Sequence, residues 1–276
     1  MTARAARPIA GRPSARQGLR VESVLAEIDR LEALPRLGGM ARPNGVAIVS
    51  ERFWAFADVD GTLREGAMPA PRARLRNVPL VRGLVRLGLA MSPLFRRGGV
   101  AKPRERLLLA AALAAPLLFA FLPERASLLA GLAVTLGLVL WLLRGRTLAL
   151  HGAEHRAIAA AEERRLAETW SGAARPTRFA ARCGTNFAAL VLPVAVLLQR
   201  VWPFAPTIYA SAAVVLLSLA LTMELWLAVE GSTRRIARAF LLPGLGLQRL
   251  TTGEPRLEET QIALRAVESV LRRELA

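Results

Sequence analysis

The chain of 276 residues is poor in several residue types on which secreted proteins and many enzymes depend. It has one cysteine, Cys183, so no intramolecular disulfide can form and nothing indicates an oxidising compartment. It has one lysine, Lys102, and three aspartates, which leaves few side chains for Mg²⁺-dependent phosphoryl chemistry. It has two histidines, His151 and His155, so any site built on imidazole must use this pair.

Apolar residues and arginine are abundant instead. Hydrophobic residues make up 53% of the chain and the mean hydropathy is +0.35, yet the formal net charge is +17, which is unusual for a soluble domain. The arginines are absent from the long apolar runs and crowd at their ends, as in membrane proteins. We therefore expect a lipid bilayer as partner, with anionic lipid at the cytoplasmic face, and no nucleic acid.

Four apolar runs predict transmembrane helices. The predicted fold is an all-α polytopic membrane protein with about four transmembrane helices, a cytoplasmic helical layer and a small N-terminal β-hairpin. The alternative for the first two runs is a pair of buried core helices in a soluble protein. The runs cover residues 107–122, 126–143, 187–198 (extending to 204 if Arg200 reaches the interface) and 208–229.

Arginine distribution predicts the orientation of these helices. Eight arginines lie between the second and third runs and eight follow Val229, whereas the two short turns carry only Arg125 and Arg200. The positive-inside rule then places both termini and the central loop in the cytoplasm of a multi-pass cell-membrane protein. Residues 1–20 lack the apolar core of a secretory signal, so we expect none.

The resulting organisation has six segments. The N-terminal part contains a β-hairpin over 46–63, which turns at Asp60-Gly61, and an interfacial helix over 78–94. The predicted segments are a disordered basic N-terminus (1–19), a cytoplasmic N-terminal region (20–106), a transmembrane hairpin (107–143), a cytoplasmic loop (144–186), a second transmembrane hairpin (187–229) and a cytoplasmic amphipathic C-terminal region (230–276).

The hairpin contains a segment similar to a phosphatase motif. Residues 58–62 read Asp-Val-Asp-Gly-Thr, which resembles the nucleophile loop of haloacid-dehalogenase phosphatases. That chemistry also needs a lysine, further carboxylates for Mg²⁺ and a doubly wound domain, and the chain has only Asp29 besides these two aspartates. An ordinary hairpin turn is the favoured interpretation.

Residues 151–155 read His-Gly-Ala-Glu-His, the H-x-x-E-H pattern of an inverted zinc-hydrolase motif. His151 and His155 stand four residues apart, so their imidazoles share one side of a helix and can bind one metal ion. Glu162 falls on the same helical stripe and is a further candidate ligand, whereas Glu154 lies to the side as a candidate general base. The alternative is that these side chains brace a helix near a membrane surface.

Two further residues are candidates for the same metal site. Cys183 stands near Arg178 and Arg182, which favours a thiolate and metal ligation; the alternative is an inert thiol. Glu224 lies inside an apolar run, where an ionisable group is a functional candidate. The alternative is that Glu224 only marks the end of its helix.

Five motifs in order resemble the YqhQ-like family of bacterial membrane proteins, a domain of unknown function labelled a predicted metal-dependent enzyme. They are Leu-Gly-Gly-Met-Ala-Arg-Pro-Asn-Gly-Val at 37–46, Pro-Leu-Val-Arg-Gly at 79–83, His-Gly-Ala-Glu-His-Arg at 151–156, Arg-Cys-Gly-Thr at 182–185 and Pro-Gly-Leu-Gly-Leu-Gln-Arg-Leu-Thr-Thr-Gly-Glu-Pro at 243–255. The resemblance implies a multi-pass membrane protein and marks His151, Glu154, His155, Glu162, Cys183 and Glu224.

The chain departs from this family pattern at two places. A family histidine before the Arg-Cys-Gly-Thr segment is replaced by Ala180 and Ala181, so one candidate ligand is missing. Near the C-terminus the usual glutamine and glutamate positions appear as Glu259 and Gln261.

Two functions from different classes follow. The first is a metal-dependent hydrolase at the cytoplasmic membrane face, in which Glu154 accepts a proton. Its divalent ion, zinc by preference, is bound by ligands from the set His151, His155, Glu162, Cys183 and Glu224. The alternative is a non-catalytic membrane scaffold or transport-related protein whose His and Glu residues are structural.

Overall fold

The computed structural model describes residues 15–70, 77–119, 121–142, 146–205, 207–230, 232, 234–235 and 239–276. Two compact units divide the chain, and each is discontinuous in sequence. The sheet unit comprises residues 1–68, 144–179 and 252–276, and the helical unit comprises residues 69–143 and 180–251.

Strands and helices follow one another in a simple order. The strands are β1 (Gly38–Arg42), β2 (Gly45–Val49), β3 (Phe53–Asp58) and β4 (Leu63–Ala67). The helices are α1 (Ala15–Ile28), α2 (Val81–Phe95), α3 (Pro103–Phe119), α4 (Glu124–Leu142), α5 (Thr147–Glu162), α6 (Leu166–Ser171), α7 (Gly184–Val201), α8 (Ile208–Glu230), α9 (Leu242–Thr251) and α10 (Leu257–Leu275).

The sheet unit is built on a four-stranded antiparallel meander in the order β1-β2-β3-β4. Val46 pairs with Ala57 and Ile48 with Ala55, so these four apolar side chains share one face of the sheet. That face packs on α5 and α10, and α1 and α6 complete the layer. The hydrophobic core of this unit therefore lies between one sheet face and four helices.

The predicted all-α class and the two-stranded hairpin are therefore wrong. The hairpin prediction covered β2 and β3 and missed β1 and β4, which extend the sheet at both edges. The turn at Asp60-Gly61 is present, and Gly61 adopts a φ of 95°, which favours glycine. Of the predicted disordered segment 1–19, residues 1–14 lie outside the described residues and residues 15–19 begin α1.

Asp58 has a structural position in this turn. Its carboxylate accepts hydrogen bonds from the side-chain amide of Asn44 (2.7 Å) and from the backbone N–H of Asp60 (3.3 Å). The surrounding sheet is antiparallel rather than doubly wound. These contacts agree with the interpretation of the Asp-Val-Asp-Gly-Thr segment as a hairpin turn rather than a phosphatase loop.

The helical unit contains two hairpins of helices. α7 and α8 are joined by a short loop and pack together, with the rings of Phe187 and Trp226 5.5 Å apart. Phe187 stands near the start of α7 and Trp226 near the end of α8, so the two helices run antiparallel. α3 and α4 form the second pair, and α2 packs on α8.

Among the described residues, two helical segments are long and apolar enough to cross a bilayer. They are Gly184–Val201 in α7 and Tyr209–Val229 in α8. Of an apolar stretch of 18 residues in each segment, 11% is buried in α7 and 33% in α8. A mostly unburied apolar helix is unlike the core helix of a soluble protein. Length and composition thus agree with membrane association through this hairpin.

The prediction of four transmembrane helices is wrong. The first turn of α3 carries Arg104, Glu105 and Arg106, so its apolar part is about 20 Å long at 1.5 Å per residue. The hydrocarbon core of a bilayer is about 30 Å thick. In α4, the described residues contain an apolar segment at Arg125–Val134 and no candidate membrane span. Residue 143, the end of the predicted second run, lies outside the described residues.

Candidate metal centre

The histidine pair lies on α5, which is the central helix of the sheet unit. Ala153, Ala157 and Ala160 are fully buried on this helix, which packs against β1, β2 and α10. Alanine favours the helix and lets neighbouring backbones approach closely. The small side chains thus place His155 inside the unit rather than on its surface.

His155 is held in one orientation by the backbone. Its Nδ1 lies 2.7 Å from the carbonyl oxygen of Arg178. A carbonyl can only accept a hydrogen bond, so Nδ1 carries the proton and Nε2 presents a lone pair. His155 is 2% exposed, and its buried Nε2 has no hydrogen-bond partner among the described residues. A buried polar atom without a partner is costly and marks a position where a ligand fits.

His155 is neutral at physiological pH. Burial, and then the charge of neighbouring His151, lower the pKa of His155 to about 4, although its contact with Arg178 acts in the opposite direction. A metal ion binds only the neutral imidazole, so the protein holds this side chain in its ligand form.

His151 lies beside His155 one turn earlier on α5. The ring centroids are 4.5 Å apart and the ring planes make an angle of 66°. The candidate ligand nitrogens of the two rings lie within 4.8 Å of each other. One tetrahedral zinc ion holds two imidazole nitrogens roughly 3–4 Å apart. His151 is only half-buried, and the pair is therefore a candidate for holding one ion.

Glu154 faces the first strand of the sheet. A Cβ atom at Gly39 would stand 2.8 Å from the Glu154 Cγ and Oε1 atoms, so only glycine leaves room for this side chain. Burial raises the pKa of Glu154 to about 8, and a hydrogen bond with the backbone of Ala41 only partly offsets it. The carboxyl group is therefore mainly protonated at neutral pH. The Glu154 side chain lies against β1. Its role as a general base stays a prediction.

Glu162 is not brought to the histidine pair. It is the exposed last residue of α5, and seven residues of continuous helix separate it from His155. At 1.5 Å per residue this separation is about 10 Å along the axis. Among the described residues, Glu162 is not in the group of candidate ligand atoms found close together, so its ligation stays a prediction.

Cys183 belongs to the helical unit, where it caps α7. Its sulfur accepts hydrogen bonds from the Thr185 backbone N–H (3.4 Å) and hydroxyl (3.2 Å), and the residue is buried. Metal ligation by Cys183 stays a prediction.

Glu224 also belongs to the helical unit, and its carboxylate is occupied. Oε1 accepts from the Arg82 Nε (2.9 Å) and from the Leu80 backbone N–H (3.0 Å), and Oε2 forms a salt bridge with the Arg82 guanidinium. These contacts attach the start of α2 to α8. They give Glu224 a role different from the predicted metal ligation.

Sequence reasoning missed the residues that surround His155. Arg156 is buried, and its guanidinium contacts Glu254, which also binds Arg178. A Cβ at Gly152 would stand 2.1 Å from the carbonyl oxygen of Gly253, so the segment before Glu254 passes directly over α5. Gly152 and Arg156 belong to the motif at 151–156, and Gly253 and Glu254 belong to the motif at 243–255. Their membership of these motifs is the only sequence signal that could have pointed to them.

Comparison with known proteins agrees with an uncharacterised family. Residues 144–273 match a family described as a protein of unknown function (DUF1385). The match covers α5 to α10 and slightly less than half of the chain. No curated protein and no solved structure matches the chain. These findings support similarity to a family of unknown function.

Proposed function

We propose that the sheet unit binds a divalent transition-metal ion through His155 Nε2 and a ring nitrogen of His151. The observation that carries the proposal is the buried, unpartnered Nε2 of His155, whose opposite nitrogen is held by the Arg178 carbonyl. Histidines that bind metals almost always donate their other N–H to a carbonyl or carboxylate in this way. The lowered pKa of His155 supports the same proposal.

Zinc suits these residues best. Neutral imidazole binds zinc, copper, iron and nickel. Zinc is usually four-coordinate, so two histidines on one helix turn would supply half of its ligands. When bound, such an ion acts as a Lewis acid toward a carbonyl or phosphoryl oxygen. His151 and His155 hold the ion, while the Arg178 carbonyl fixes the ring of His155.

A hydrolytic activity is the chemical extension of this proposal. A pKa of about 8 places Glu154 near the pH at which a group exchanges protons most effectively. Glu154→Gln keeps the shape of the side chain and removes its proton exchange. The variant should therefore retain metal and lose any hydrolysis of ester, peptide or phosphate substrates. A non-catalytic scaffold predicts no such activity in the wild type.

We further propose that α7 and α8 place the protein in a membrane with both ends of this hairpin on the cytoplasmic side. Their length, composition and exposed surface support insertion, and the arginines that flank them support the orientation. Reporter fusions within 144–179 and at the C-terminus should report cytoplasm, and an insertion near Phe204 should report the opposite side. A non-cytoplasmic report within 144–179 contradicts this orientation.

Elemental analysis tests the metal proposal. Protein purified in detergent without chelator should contain a stoichiometric transition metal, and His155→Ala and His151→Ala should each lose most of it. Cys183→Ser tests in the same preparation the sequence prediction that the thiol contributes. Glu162→Ala is the matched control, because it lies on the same helix about 10 Å away and should retain the metal.

The scaffold alternative makes the opposite prediction. It holds if wild-type protein contains no stoichiometric transition metal after purification and reconstitution with Zn²⁺ or Co²⁺. It also holds if the histidine variants retain as much metal as Glu162→Ala.

A further inference from the structure

A closed ring of contacts surrounds the carbonyl group that orients His155. The Arg178 carbonyl accepts the Nδ1–H of His155, and the Arg178 guanidinium forms a salt bridge with Oε2 of Glu254. Oε1 of Glu254 lies 2.7 Å from Nη2 of Arg156. Arg156 follows His155 in α5, so the ring begins and ends at neighbouring residues of one helix.

Arg156 connects this ring to the loop that carries Arg178. Its side chain is 8% exposed, and its Nε donates to the Pro176 carbonyl at 3.1 Å. Nη1 lies 3.4 Å from the Pro255 carbonyl. A buried guanidinium is costly unless it is paired, and Glu254 is the carboxylate that pairs with it here. The charge of Glu254 thus stabilises both arginines that hold the 176–178 loop.

Glycines allow Glu254 to reach this position. The backbone N–H of Gly253 donates to the Leu148 carbonyl at 2.7 Å, which ties the segment to the first turn of α5. The Gly253 carbonyl lies so close to Gly152 that a Cβ there would stand 2.1 Å from it. The absence of a side chain at Gly152, the second residue of the H-x-x-E-H motif, therefore lets the segment with Glu254 lie close to the backbone of α5.

We propose that Glu254 is a positioning residue of the metal centre, and this inference rests on the proposed function. Glu254 binds Arg178 and Arg156 at the same time and so fixes the Arg178 carbonyl against Nδ1 of His155. The fixed carbonyl keeps the proton on Nδ1 and leaves Nε2 as the ligand atom. Glu254 acts through the two arginines that it binds.

The side chain of Glu254 is 58% exposed, but its partner Arg156 is buried, so Glu254→Gln leaves a buried charge without its carboxylate and should lower the stability of the sheet unit. The tautomer and the metal affinity are therefore measured at a temperature at which thermal unfolding shows the variant to be folded. Glu168 provides the matched control. It pairs with Arg165 in the same unit, its side chain is 57% exposed, and the pair is a local contact within one turn.

The decisive experiment measures the tautomer of His155 in metal-free protein by ¹⁵N NMR with labelled histidine. Only two histidines contribute signals, and His155→Ala assigns them. Wild-type protein and Glu168→Gln should show the Nδ1–H form of His155. Glu254→Gln and Arg178→Gln should show a mixture of both neutral tautomers, and Glu254→Asp should restore part of the Nδ1–H form.

Metal affinity provides the second measurement. Competition with a chromogenic chelator should show that Glu254→Gln weakens Zn²⁺ binding about 10-fold or more, the usual effect of removing an outer partner of a ligand. Glu168→Gln should bind like the wild type. A pure Nδ1–H signal in Glu254→Gln together with unchanged Zn²⁺ affinity overturns the inference. If wild-type protein binds no Zn²⁺, the proposed function fails, and the tautomer measurement alone still decides whether Glu254 positions His155.

Discussion

Glu154 in the sheet unit and Glu224 in the helical unit are two glutamates whose surroundings differ. Glu154 on α5 is buried against Gly39 with a hydrogen bond from the backbone of Ala41, and burial raises its pKa to about 8. Glu224 on α8 has both oxygens engaged by the guanidinium of Arg82. The sequence suggested a chemical role for both residues.

This difference separates a chemical candidate from a structural contact. A carboxylate with a bidentate arginine partner has its acceptor sites filled and holds two helices together. A buried carboxylate without a cation keeps a proton that it can exchange near neutral pH, which is the property of many catalytic acids and bases. The environment of each glutamate, which the sequence does not display, decides between these roles.

Removing the paired carboxylate should have the largest effect. Glu224→Ala leaves the Arg82 guanidinium and the Leu80 N–H without their acceptor, which should destabilise the helical unit. Thermal unfolding in detergent measures this loss. The double variant Arg82→Leu with Glu224→Leu should recover most of it, because no charge is left unpaired. Equal stability of Glu224→Ala and wild type would contradict the structural role.

The unpaired carboxylate should make stability depend on pH. In metal-free protein between pH 6.5 and 8, folded Glu154 keeps a proton that the unfolded chain has lost, since its folded pKa is raised. Stability should therefore fall as pH rises, by up to about 1.4 kcal/mol per pH unit below the folded pKa, or about 1.6 kcal/mol across this window. Glu154→Gln should abolish the decline in denaturant titrations.

The titration of His155 affects stability mainly at a pH lower than the window used for Glu154. Its folded pKa is lowered to about 4, so its contribution is constant above the unfolded pKa near 6.5 and is lost as pH falls below that value. A wild-type stability that stays flat from pH 6.5 to 8 would show that Glu154 is ionised in the fold.

The contact between Gly39 and Glu154 should give a smaller effect. Gly39→Ala places a Cβ 2.8 Å from the Glu154 side chain and should cost about 1–2 kcal/mol. Gly38→Ala is the matched control, because its Cβ would meet only Val49 at an ordinary 3.4 Å. Glu154→Ala should relieve the clash, so a double-mutant cycle should be non-additive. Additive changes would show that Glu154 does not lie against Gly39.

A carboxylate in the turn of the sheet should give the smallest effect. Asp58 accepts hydrogen bonds from Asn44 and from the backbone of Asp60, and Asp58→Asn keeps one acceptor oxygen. The loss should be about 1 kcal/mol or less by thermal unfolding, with any activity retained. Loss of function at normal abundance and membrane insertion would instead support phosphatase chemistry at this turn.

The sequence predicted the helices better than the sheet. The apolar runs located α7 and α8 because long runs with at most one charged residue carry their own signal. β1 reads Gly-Gly-Met-Ala-Arg and β4 reads Leu-Arg-Glu-Gly-Ala, and neither shows the alternation of a strand. Their place in the sheet comes from pairing with β2 and β3, which short-range patterns do not contain.

The candidate site was predictable only where it is local. The spacing of His151 and His155 placed both rings on one side of α5, as the structure has them. The same periodicity suggested Glu162, because it gives the angular position of a residue around the helix and not its distance along the axis. The contact of His155 with Arg178 joins residues 23 apart, and that of Arg156 with Glu254 joins residues 98 apart, so only the fold reveals them.

X-ray absorption spectroscopy of the zinc-reconstituted protein tests the central claim most directly, because it reports the atoms bound to the ion. Imidazole nitrogens are expected at about 2.0–2.1 Å from the zinc ion, and this signal should be lost in the variant His151→Ala with His155→Ala. A sulfur scatterer at about 2.3 Å would add Cys183 to the ligands. A shell of oxygen atoms only, or the same spectrum from the double variant, would contradict a metal site on α5.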